Sequence, residues 1–184
     1  MKLLTINKNK LFFEDGTVIE VNIDIIYEEN IKAGEEISDE KLEIILEKGA
    51  YFKGITYLAK YDKSEKALFL KLAEKYGKNA AEKSIKKIKD NGYIDDFEYA
   101  KSFLAGKNYS KKQAYFELVK RGVSELQVKK VIENYGNIEK DTIKKLIKKL
   151  SNKDEKKRIE TLLRKGFDYS KIKEVLKELK EEGE

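Results

Sequence analysis

Apolar residues in the first 30 positions follow the short period that is typical of β-strands. The run from Val18 to Ile23 alternates in part, and the segments LLTI and LFF before it are rich in β-prone residues. Asp15-Gly16 is a strong hairpin-turn signal, and residues 7–10 (NKNK) form a second candidate turn. We therefore predict a small antiparallel sheet of two or three strands. So small a sheet is not stable alone, and it should pack on the helices that follow.

After this sheet, apolar residues recur at helical spacing. Ser38 is an N-cap candidate for a short helix that we expect to end at Lys48-Gly49, and residues 50–61 place further apolar residues on one helical face. The apolar faces of these two helices are formed by Leu42, Ile45, Leu46, Tyr51, Ile55 and Leu58. We predict no strand beyond this point. The sequence contains no proline, so helix ends must be set by caps and glycines.

Cap and stop signals divide the remaining chain into short helices of 10–13 residues. Capping-box patterns or close variants begin at Asn79, Asp95, Ser110 and Ser124. Further N-cap candidates are Ser64, Asp154 and Ser170. The glycines at expected helix ends are Gly77, Gly92, Gly106, Gly122, Gly136 and Gly166. Helices of this length are marginal in isolation, so packing must hold them.

The glycines and apolar positions recur with a period of about 44 residues. A basic residue lies one or two positions before Gly77, Gly122 and Gly166, which are spaced by 45 and 44 residues. Three sets of apolar residues keep the same phase: Leu72, Leu118 and Leu162; Ile85, Val128 and Ile172; Ile88, Val131 and Val175. Any one match is common by chance in a chain rich in Leu, Ile and Lys. Their coincidence with caps and glycine stops favours a helical repeat.

The sequence thus predicts a mainly α protein, a tandem array of three three-helix repeats with a small N-terminal antiparallel β-sheet subdomain. We assign residues 1–49 to the sheet and short helix, 50–94 to the first repeat, 95–137 to the second and 138–184 to the third. Each unit would pack its own core and lean on its neighbours, so we expect an elongated, curved array with a long surface and no deep pocket.

Positive charge is concentrated in the middle of the chain. Residues 1–60 carry a net charge of −4, residues 61–150 carry +9, and residues 151–184 carry +1. A basic middle third favours a polyanion or an acidic protein surface as partner. Alternatively, lysines simply fill solvated helix faces, because only three of the 40 basic residues are arginine.

The residue types that are missing argue against catalysis. The chain has no Cys and no His, which removes thiol nucleophiles, the commonest general base and the commonest metal ligands. It has no GxxxxGK[ST] or GxGxxG run. We therefore predict a binding protein without catalytic residues, cofactor or metal. No signal peptide and no apolar run of membrane-spanning length is visible, so we expect a cytoplasmic protein, as a monomer.

One string carries a family resemblance. Residues 92–103, GYIDDFEYAKSF, resemble the GYIDDxxFAxSF signature of RecX, the bacterial regulator of the recombinase RecA. Residues 110–123, SKKQAYFELVKRGV, look like the basic segment of that family's second repeat, and residues 162–167, LLRKGF, look like its C-terminal segment. The likeness covers residues 50–180. The chain departs from the family in residues 106–110, which have Lys where the family often has Arg, and no Pro.

The resemblance implies a function in DNA repair, homologous recombination and the SOS response. Such proteins lie in the groove of the RecA–single-stranded DNA filament, slow its ATP hydrolysis and strand exchange, and limit its extension. DNA alone, single- or double-stranded, would be bound weakly. Two alternatives stay open: a helical protein that binds nucleic acid directly without a recombinase, and a generic helical adaptor for other proteins.

Most residues of the motif can be explained by structure alone. Gly92 suits a helix C-terminus with positive φ, and Asp95 and Asp96 suit a helix N-terminus. The adjacent carboxylates diverge at a helix start, which argues against a Mg²⁺ site. Most of the 11 tyrosines are interpreted as core or interface residues, not as platforms for base stacking. The motif residues are Gly92, Tyr93, Ile94, Asp95, Asp96, Ala100 and Phe103.

The candidates for partner binding are the basic residues of the predicted second repeat and its flanks. They are Lys86, Lys87, Lys107, Lys111, Lys112, Lys120, Arg121, Lys129 and Lys130. Four of them, Lys111, Lys112, Lys120 and Arg121, lie around one predicted helix and cannot all face the partner.

Overall fold

The computed structural model describes residues 1–181, which fold as two compact units, Met1–Asp95 and the chain from Asp96 onward. The strands are β1 (Leu3–Asn7), β2 (Lys10–Phe13) and β3 (Val18–Glu20). The helices of the first unit are α1 (Ile23–Glu28), α2 (Asp39–Leu58), α3 (Glu65–Tyr76) and α4 (Lys78–Asp90). Those of the second are α5 (Asp96–Leu104), α6 (Lys111–Lys120), α7 (Glu125–Glu133), α8 (Gly136–Lys149), α9 (Glu155–Arg164) and α10 (Tyr169–Glu181). None of the described helices is long and apolar enough to cross a membrane.

The predicted N-terminal sheet is confirmed as a three-stranded antiparallel meander in the order β1-β2-β3. Both predicted turns are present. Lys8 has a φ of 55° in the first turn, and Gly16 has a φ of 85° in the second. Strand β3 is shorter than the apolar run predicts, because Asn22 caps α1 by accepting a hydrogen bond from the Asp24 N–H. Helix α1 was not predicted from the sequence. It has only two buried residues, Ile25 and Ile26, and two adjacent apolar residues do not define a helical period.

Sheet and helices of the first unit share one hydrophobic core, as predicted. Leu3, Leu11 and Phe13 of the sheet are buried in the same cluster as Leu68 and Ile88 of α3 and α4. The apolar residues predicted for the face of 50–61, Tyr51, Ile55 and Leu58, pack at the edge of that cluster. The sheet therefore gains the stability it lacks alone by covering the helices.

The Glu20 carboxylate ties strand β3 to two helices. It accepts a hydrogen bond from the Lys53 ammonium of α2 at 3.0 Å and is also paired with Lys75 of α3. Hydrogen bonds from these two lysines, Lys75 foremost, lower the pKa of Glu20 to about 2. The main-chain oxygen of Glu20 also accepts a hydrogen bond from the Tyr76 hydroxyl at 2.7 Å. Burial raises the pKa of that Tyr76 hydroxyl.

Helix α2 does not end at Lys48-Gly49, so that prediction is wrong. The helix runs without a break from Asp39 to Leu58. Gly49 is needed for packing and not for a stop, because a Cβ atom there would lie 2.9 Å from Cε1 of the Tyr76 ring. Gly54, one and a half turns later, likewise makes room for Ile88.

The second unit contains two consecutive helix triplets, each with its own hydrophobic cluster. The α5–α7 cluster includes Ala100, Ala114, Leu118, Val128, Val131 and Tyr135. The α8–α10 cluster includes Ile143, Ile147, Leu162, Phe167, Ile172, Val175 and Leu176. The residues that keep phase in the sequence are therefore the ones that are buried. The division into three repeats at 50–94, 95–137 and 138–184 stays a prediction.

Most of the predicted caps are confirmed. Side chains of the caps accept a hydrogen bond from the main chain of the first helical turn at Ser38, Ser64, Ser110, Ser124 and Asp154. Of the glycines predicted at helix ends, those with positive φ are Gly77, Gly92, Gly106, Gly122 and Gly166.

Three predicted caps or stops are wrong. Asn79 lies inside α4, which begins at Lys78 directly after Gly77, so no residue is left for a side-chain cap. Ser170 lies inside α10, whose first carbonyl acceptor is that of Asp168. Gly136 begins α8 instead of ending α7, since the chain has already turned at Asn134 and Tyr135.

Candidate partner-binding surface

The N-terminus of α6 is held by a complete capping box. The Ser110 hydroxyl accepts a hydrogen bond from the Gln113 N–H at 3.2 Å, and the Gln113 side chain accepts one from the Ser110 N–H at 3.4 Å. The first free N–H of the helix, that of Lys111, donates to the carboxylate of Glu139 at 2.7 Å. A carboxylate at this end is also favoured by the helix dipole.

These contacts join the α5–α7 triplet to the α8–α10 triplet through a polar seam. Glu139 of α8 is only 1% exposed, and its second carboxylate oxygen accepts from the Lys171 ammonium of α10 at 2.7 Å. The Ser110 hydroxyl donates to the carbonyl oxygen of Lys165 in the α9–α10 turn at 3.0 Å. The bonds from Ser110 to Lys165 and from Lys111 to Glu139 cross between the triplets, and the Lys171 ammonium holds Glu139 in place within the second triplet, so the seam fixes α6 against the helices that follow. We call Ser110, Glu139, Lys165 and Lys171 the polar seam.

At the other end of α6, Arg121 is engaged within the protein. Its guanidinium donates to the Glu117 carbonyl oxygen at 3.1 Å and pairs with the Glu117 carboxylate. The guanidinium carbon also lies 3.9 Å from the centre of the Phe103 ring. These contacts close the last turn of α6 and pack it on α5. Lys111 is half-buried beside the polar seam. Both residues were predicted as partner contacts; the Arg121 guanidinium is engaged within the fold, and the Lys111 side chain is half-buried.

The outward face of α6 is formed by Lys112, Phe116, Val119 and Lys120, which we call the α6 stripe. These are the four exposed residues of the helix, and their spacing of four, three and one places them on one side. Phe116 is 59% exposed and Val119 is 39% exposed. Among residues 1–181, no carboxylate lies within ion-pair distance of Lys112 or Lys120. The stripe therefore offers two free cations with an apolar patch between them.

Helix α7 adds further cations. Its inward side is formed by Val128 and Val131, while Lys129 and Lys130 are exposed and have no carboxylate partner in the described part of the chain. Leu126, in the first turn, is 65% exposed. Like α6, this helix thus presents an apolar residue together with cations to solvent.

The remaining candidates have ring or carboxylate neighbours. Lys107 lies 5.9 Å from the centre of the Phe103 ring. Lys86 and Lys87 belong to α4 of the first unit, where Lys86 pairs with Asp90 at 2.7 Å and Lys87 lies 4.9 Å from the Tyr51 ring. Of the nine predicted contacts, the structure thus brings Lys112 and Lys120 together on α6, and Lys129 and Lys130 on α7.

The GYIDD motif lies at the junction between α4 and α5. Gly92 has a φ of 72° after α4, where its N–H donates to the Lys89 carbonyl oxygen and the Tyr93 N–H donates to that of Ile88. Ile94 is buried in the first core. Asp95 stands directly before α5, and Asp96 is its first residue. Ala100 is buried and Phe103 partly buried in the α5–α7 cluster, and Tyr93 is exposed. Residues 1–181 contain no group of three His, Cys, Asp or Glu side chains placed to hold a metal ion.

The tyrosines are mainly packing residues, as predicted. Tyr76 and Tyr135 are buried, and five others lie partly buried against the cores. Burial raises the pKa of Tyr135, whose hydroxyl donates to the Tyr109 carbonyl oxygen at 3.3 Å. The exposed tyrosines are Tyr27, Tyr61, Tyr93 and Tyr169.

Sequence reasoning missed the apolar half of the α6 stripe. Phe116 and Val119 lie in a run, AYFELV, in which every residue except Glu117 is apolar, so the inward and outward residues could not be separated by pattern. The available signal was the repeat itself. Position 116 corresponds to Glu160 of α9, 44 residues later, and a charged residue there indicates a solvent-facing position. Glu139 was missed because an isolated carboxylate in a basic helix gives no sign of burial.

Comparison with known proteins identifies relatives along almost the full chain. The regulatory protein RecX of Clostridioides difficile is 30% identical over 92% of this chain and 88% of its own length. The chain belongs to the RecX family. Regulatory proteins RecX of two Clostridium botulinum strains are 30% and 29% identical, each over 94% of this chain and 91% of the relative. No protein-family model matches the chain.

Solved structures of RecX proteins share the fold. One crystal structure of a regulatory protein RecX aligns with a TM-score of 0.61 and 19% identity over 95% of this chain and 97% of its own. The structure of RecX from Lactobacillus salivarius aligns with a TM-score of 0.64 and 21% identity, over 73% of this chain and 97% of its own. The mainly helical architecture is therefore that of the family, and the relatives named above are called regulatory proteins.

Proposed function

We propose that this protein binds the RecA–single-stranded DNA filament and inhibits its ATPase activity, its extension and its strand exchange. By this binding it regulates homologous recombination and DNA repair in the cytoplasm. It acts as a monomer, by contact alone and without catalytic residues or cofactor. The observation that carries the proposal is the relationship to regulatory proteins RecX along nine tenths of the chain.

The geometry of the second unit supports a binding role. Lys112, Lys120, Lys129 and Lys130 are exposed and free of carboxylate partners among the described residues. Elsewhere, lysines such as Lys53, Lys140 and Lys171 are already paired within the fold. Unpaired cations on two adjacent helices are available to an acidic surface or to phosphates, and they can steer association. The proposed repeats at 50–94, 95–137 and 138–184 would give the protein enough length to reach more than one filament subunit.

The decisive measurement is the DNA-dependent ATPase of RecA, titrated with this protein. We expect the rate to fall as the protein approaches stoichiometry with RecA. An unchanged rate at stoichiometric amounts would overturn the proposal. Binding should also favour RecA-coated over bare single-stranded DNA at moderate salt, because binding to bare DNA depends on phosphate contacts and weakens steeply with ionic strength. Equal affinity for both would favour the alternative, a protein that binds nucleic acid without RecA.

A matched pair of charge reversals tests the surface. The double variant K112E/K120E should raise the concentration for half-inhibition by roughly tenfold or more, since two steering and pairing cations become repulsive. The control is K156E/R164E, which makes the same change in charge at the corresponding positions of α9, 44 residues later. Both control residues are exposed on α9. We expect the control to inhibit within about twofold of the wild type.

A further inference from the structure

The α6 stripe places apolar residues where a surface helix normally carries polar ones. A helix that packs one face on a core is expected to be polar on the other. In α6, Ala114 and Leu118 are buried, yet Phe116 and Val119 point away from them and are exposed. Phe116 touches only the edge of its neighbour Tyr115 among the aromatic rings, with ring centres 5.8 Å apart. Half of the outward face of α6 is therefore apolar.

Neither α3 nor α9 has an aromatic residue at the position of Phe116. In α9, whose N-cap Asp154 lies 44 residues after Ser110, the four equivalent positions are Lys156, Glu160, Leu163 and Arg164. In α3, whose N-cap Ser64 lies 46 residues before Ser110, they are Lys66, Leu70, Ala73 and Glu74. The position of Phe116 is thus occupied by a charged residue in α9 and by an exposed leucine in α3. The scaffold does not require an aromatic residue there, so its presence in α6 points to a contact outside the fold.

The order of charges along the stripe defines what would fit it. Lys112 and Lys120 are eight residues apart, which is about 12 Å along a helix, and the Phe116 and Val119 side chains lie between them. The single carboxylate of α6, that of Glu117, is paired with Arg121 and lies off the stripe. A complementary surface has an apolar groove with a carboxylate toward each end. An aromatic anchor that becomes fully buried, with cations at the rim, is the usual composition of a protein–protein hot spot.

Nucleic acid fits this stripe less well. A phosphate backbone is matched by closely spaced cations, and Phe116 and Val119 interrupt them at the centre. A single-stranded base could stack on the Phe116 ring. The next residue of the α6 stripe is Val119, so the stripe has no second ring on which a neighbouring base could stack.

We propose that the α6 stripe is the contact with the recombinase protein itself and not with its DNA. Phe116 and Val119 enter an apolar groove on a RecA subunit, and Lys112 and Lys120 pair with carboxylates at its two ends. This inference rests on the proposed function, because it names the partner of the same surface. It assigns the binding energy to the two apolar residues and the orientation to the two lysines.

The substitution F116K distinguishes a protein partner from a DNA partner, because it should weaken binding to an apolar groove on RecA and strengthen binding to phosphates. A charged residue is tolerated at this place in the helix, since α9 has Glu160 there. Burying a lysine in an apolar groove weakens binding, so the concentration for half-inhibition of the RecA ATPase should rise by about tenfold or more. Against phosphates, the added charge would instead tighten binding. The control is L163K, which adds the same charge at an exposed apolar position of α9 and should inhibit within about twofold of the wild type.

Three measurements are made together on the full chain: ATPase inhibition, binding to bare single-stranded DNA, and thermal unfolding as a check of folding. Weakened inhibition by folded F116K, with DNA binding equal to that of L163K, supports the inference. A folded F116K that inhibits as well as or better than wild type overturns it, and leaves the proposed function intact. If F116K loses its fold, the variant V119S, which removes only the smaller apolar contact, makes the same comparison against L163S. Wild-type protein without effect on the ATPase overturns the proposed function first.

Discussion

The hydroxyl of Ser110 donates a hydrogen bond to the main-chain oxygen of Lys165, 3.0 Å away and 55 residues later in the sequence. The same hydroxyl oxygen accepts a hydrogen bond from the Gln113 N–H at the start of α6. Ser110 is completely buried. One side chain thus starts the helix that presents the candidate surface and fastens it to the turn between α9 and α10.

Ser110→Ala should therefore lower the free energy of unfolding by more than the loss of an ordinary helix cap does. Removal of an N-cap hydroxyl costs about 1 kcal/mol, and leaving the Lys165 carbonyl without its donor adds about 1 kcal/mol more. Ser124→Ala in α7 is the matched control, because Ser124 is exposed and caps only its own helix. Urea unfolding should show a loss of about 2 kcal/mol for Ser110→Ala and about half of that for Ser124→Ala. Equal losses would contradict the second role of Ser110.

Gly166→Ala should disturb the same contact from the other side. Gly166 has a φ of 81°, and a Cβ atom there would lie 3.0 Å from the Ser110 hydroxyl oxygen. Gly106→Ala is the control, since Gly106 has a similar φ of 72° but nothing within 4 Å of the added atom. Strain at positive φ costs about 1 kcal/mol in both variants, and only Gly166→Ala should also speed hydrogen exchange in the first turn of α6. Unchanged hydrogen exchange in that turn would show that Ser110 accommodates the added methyl group and keeps its helix cap.

The Glu20 carboxylate should make the first unit sensitive to acid. Its pKa is about 2 in the folded protein and 4.5 ordinarily, so the folded state favours the charged form. The stabilisation is complete above about pH 4.5 and is lost as the pH falls toward 2. Because the side chain is 30% exposed, solvent screening reduces the effect to about 1 kcal/mol.

The variant Glu20→Gln isolates this contribution. At pH 7 it should be less stable than wild type by about 1 kcal/mol, and the difference should shrink between pH 4.5 and 2. The comparison is the free energy of urea unfolding at several pH values. Glu155→Gln is a useful reference, because its pKa is also lowered, by Lys180 and Lys173, but in an exposed cluster. A Glu20→Gln difference that is constant with pH would refute the assignment.

Gly49→Ala and Gly136→Ala should have opposite effects on stability. Both glycines lie in helices, where alanine is preferred by about 0.5–1 kcal/mol. At Gly49 the added methyl group would lie 2.9 Å from the Tyr76 ring, which is held by its hydroxyl bond to Glu20, and we expect a net loss of about 1–3 kcal/mol. At Gly136 the nearest atom is the Lys111 ammonium nitrogen at 3.9 Å, an ordinary contact distance, so stability should rise by about 0.5 kcal/mol. Thermal unfolding midpoints that shift in the same direction would contradict the packing role of Gly49.

Local signals were sufficient for most of the fold. Ser110 with Gln113, and Asp15 with Gly16, act on neighbours within three residues, so their roles can be predicted from a short window. Gly49 and Gly136 show where this fails. A glycine signals a helix end only by its own conformational freedom, and the sequence does not tell whether Tyr76 from another helix will occupy the space beside it.

The candidate surface was predictable in composition but not in orientation. The basic residues around α6 were found from the sequence, whereas their division into free and engaged ones depends on contacts with distant residues. The Arg121 guanidinium is engaged because Phe103 of α5 lies beneath it, and the Lys111 side chain is half-buried at the helix start that Glu139 of α8 holds through the Lys111 N–H. Phe116 was hidden by apolar neighbours on both sides of the helix.

The polar seam also bears on how such a chain can evolve. The α5–α7 and α8–α10 clusters are separate, and the hydrogen bonds of the polar seam that join the two triplets run from Ser110 to the Lys165 carbonyl oxygen and from the Lys111 N–H to Glu139. Loss of the last triplet would expose these few polar groups to water, which can solvate them. A module bounded in this way can be duplicated, exchanged or deleted with little repair of its neighbour, which is how a lineage could lengthen or shorten the protein to match its partner.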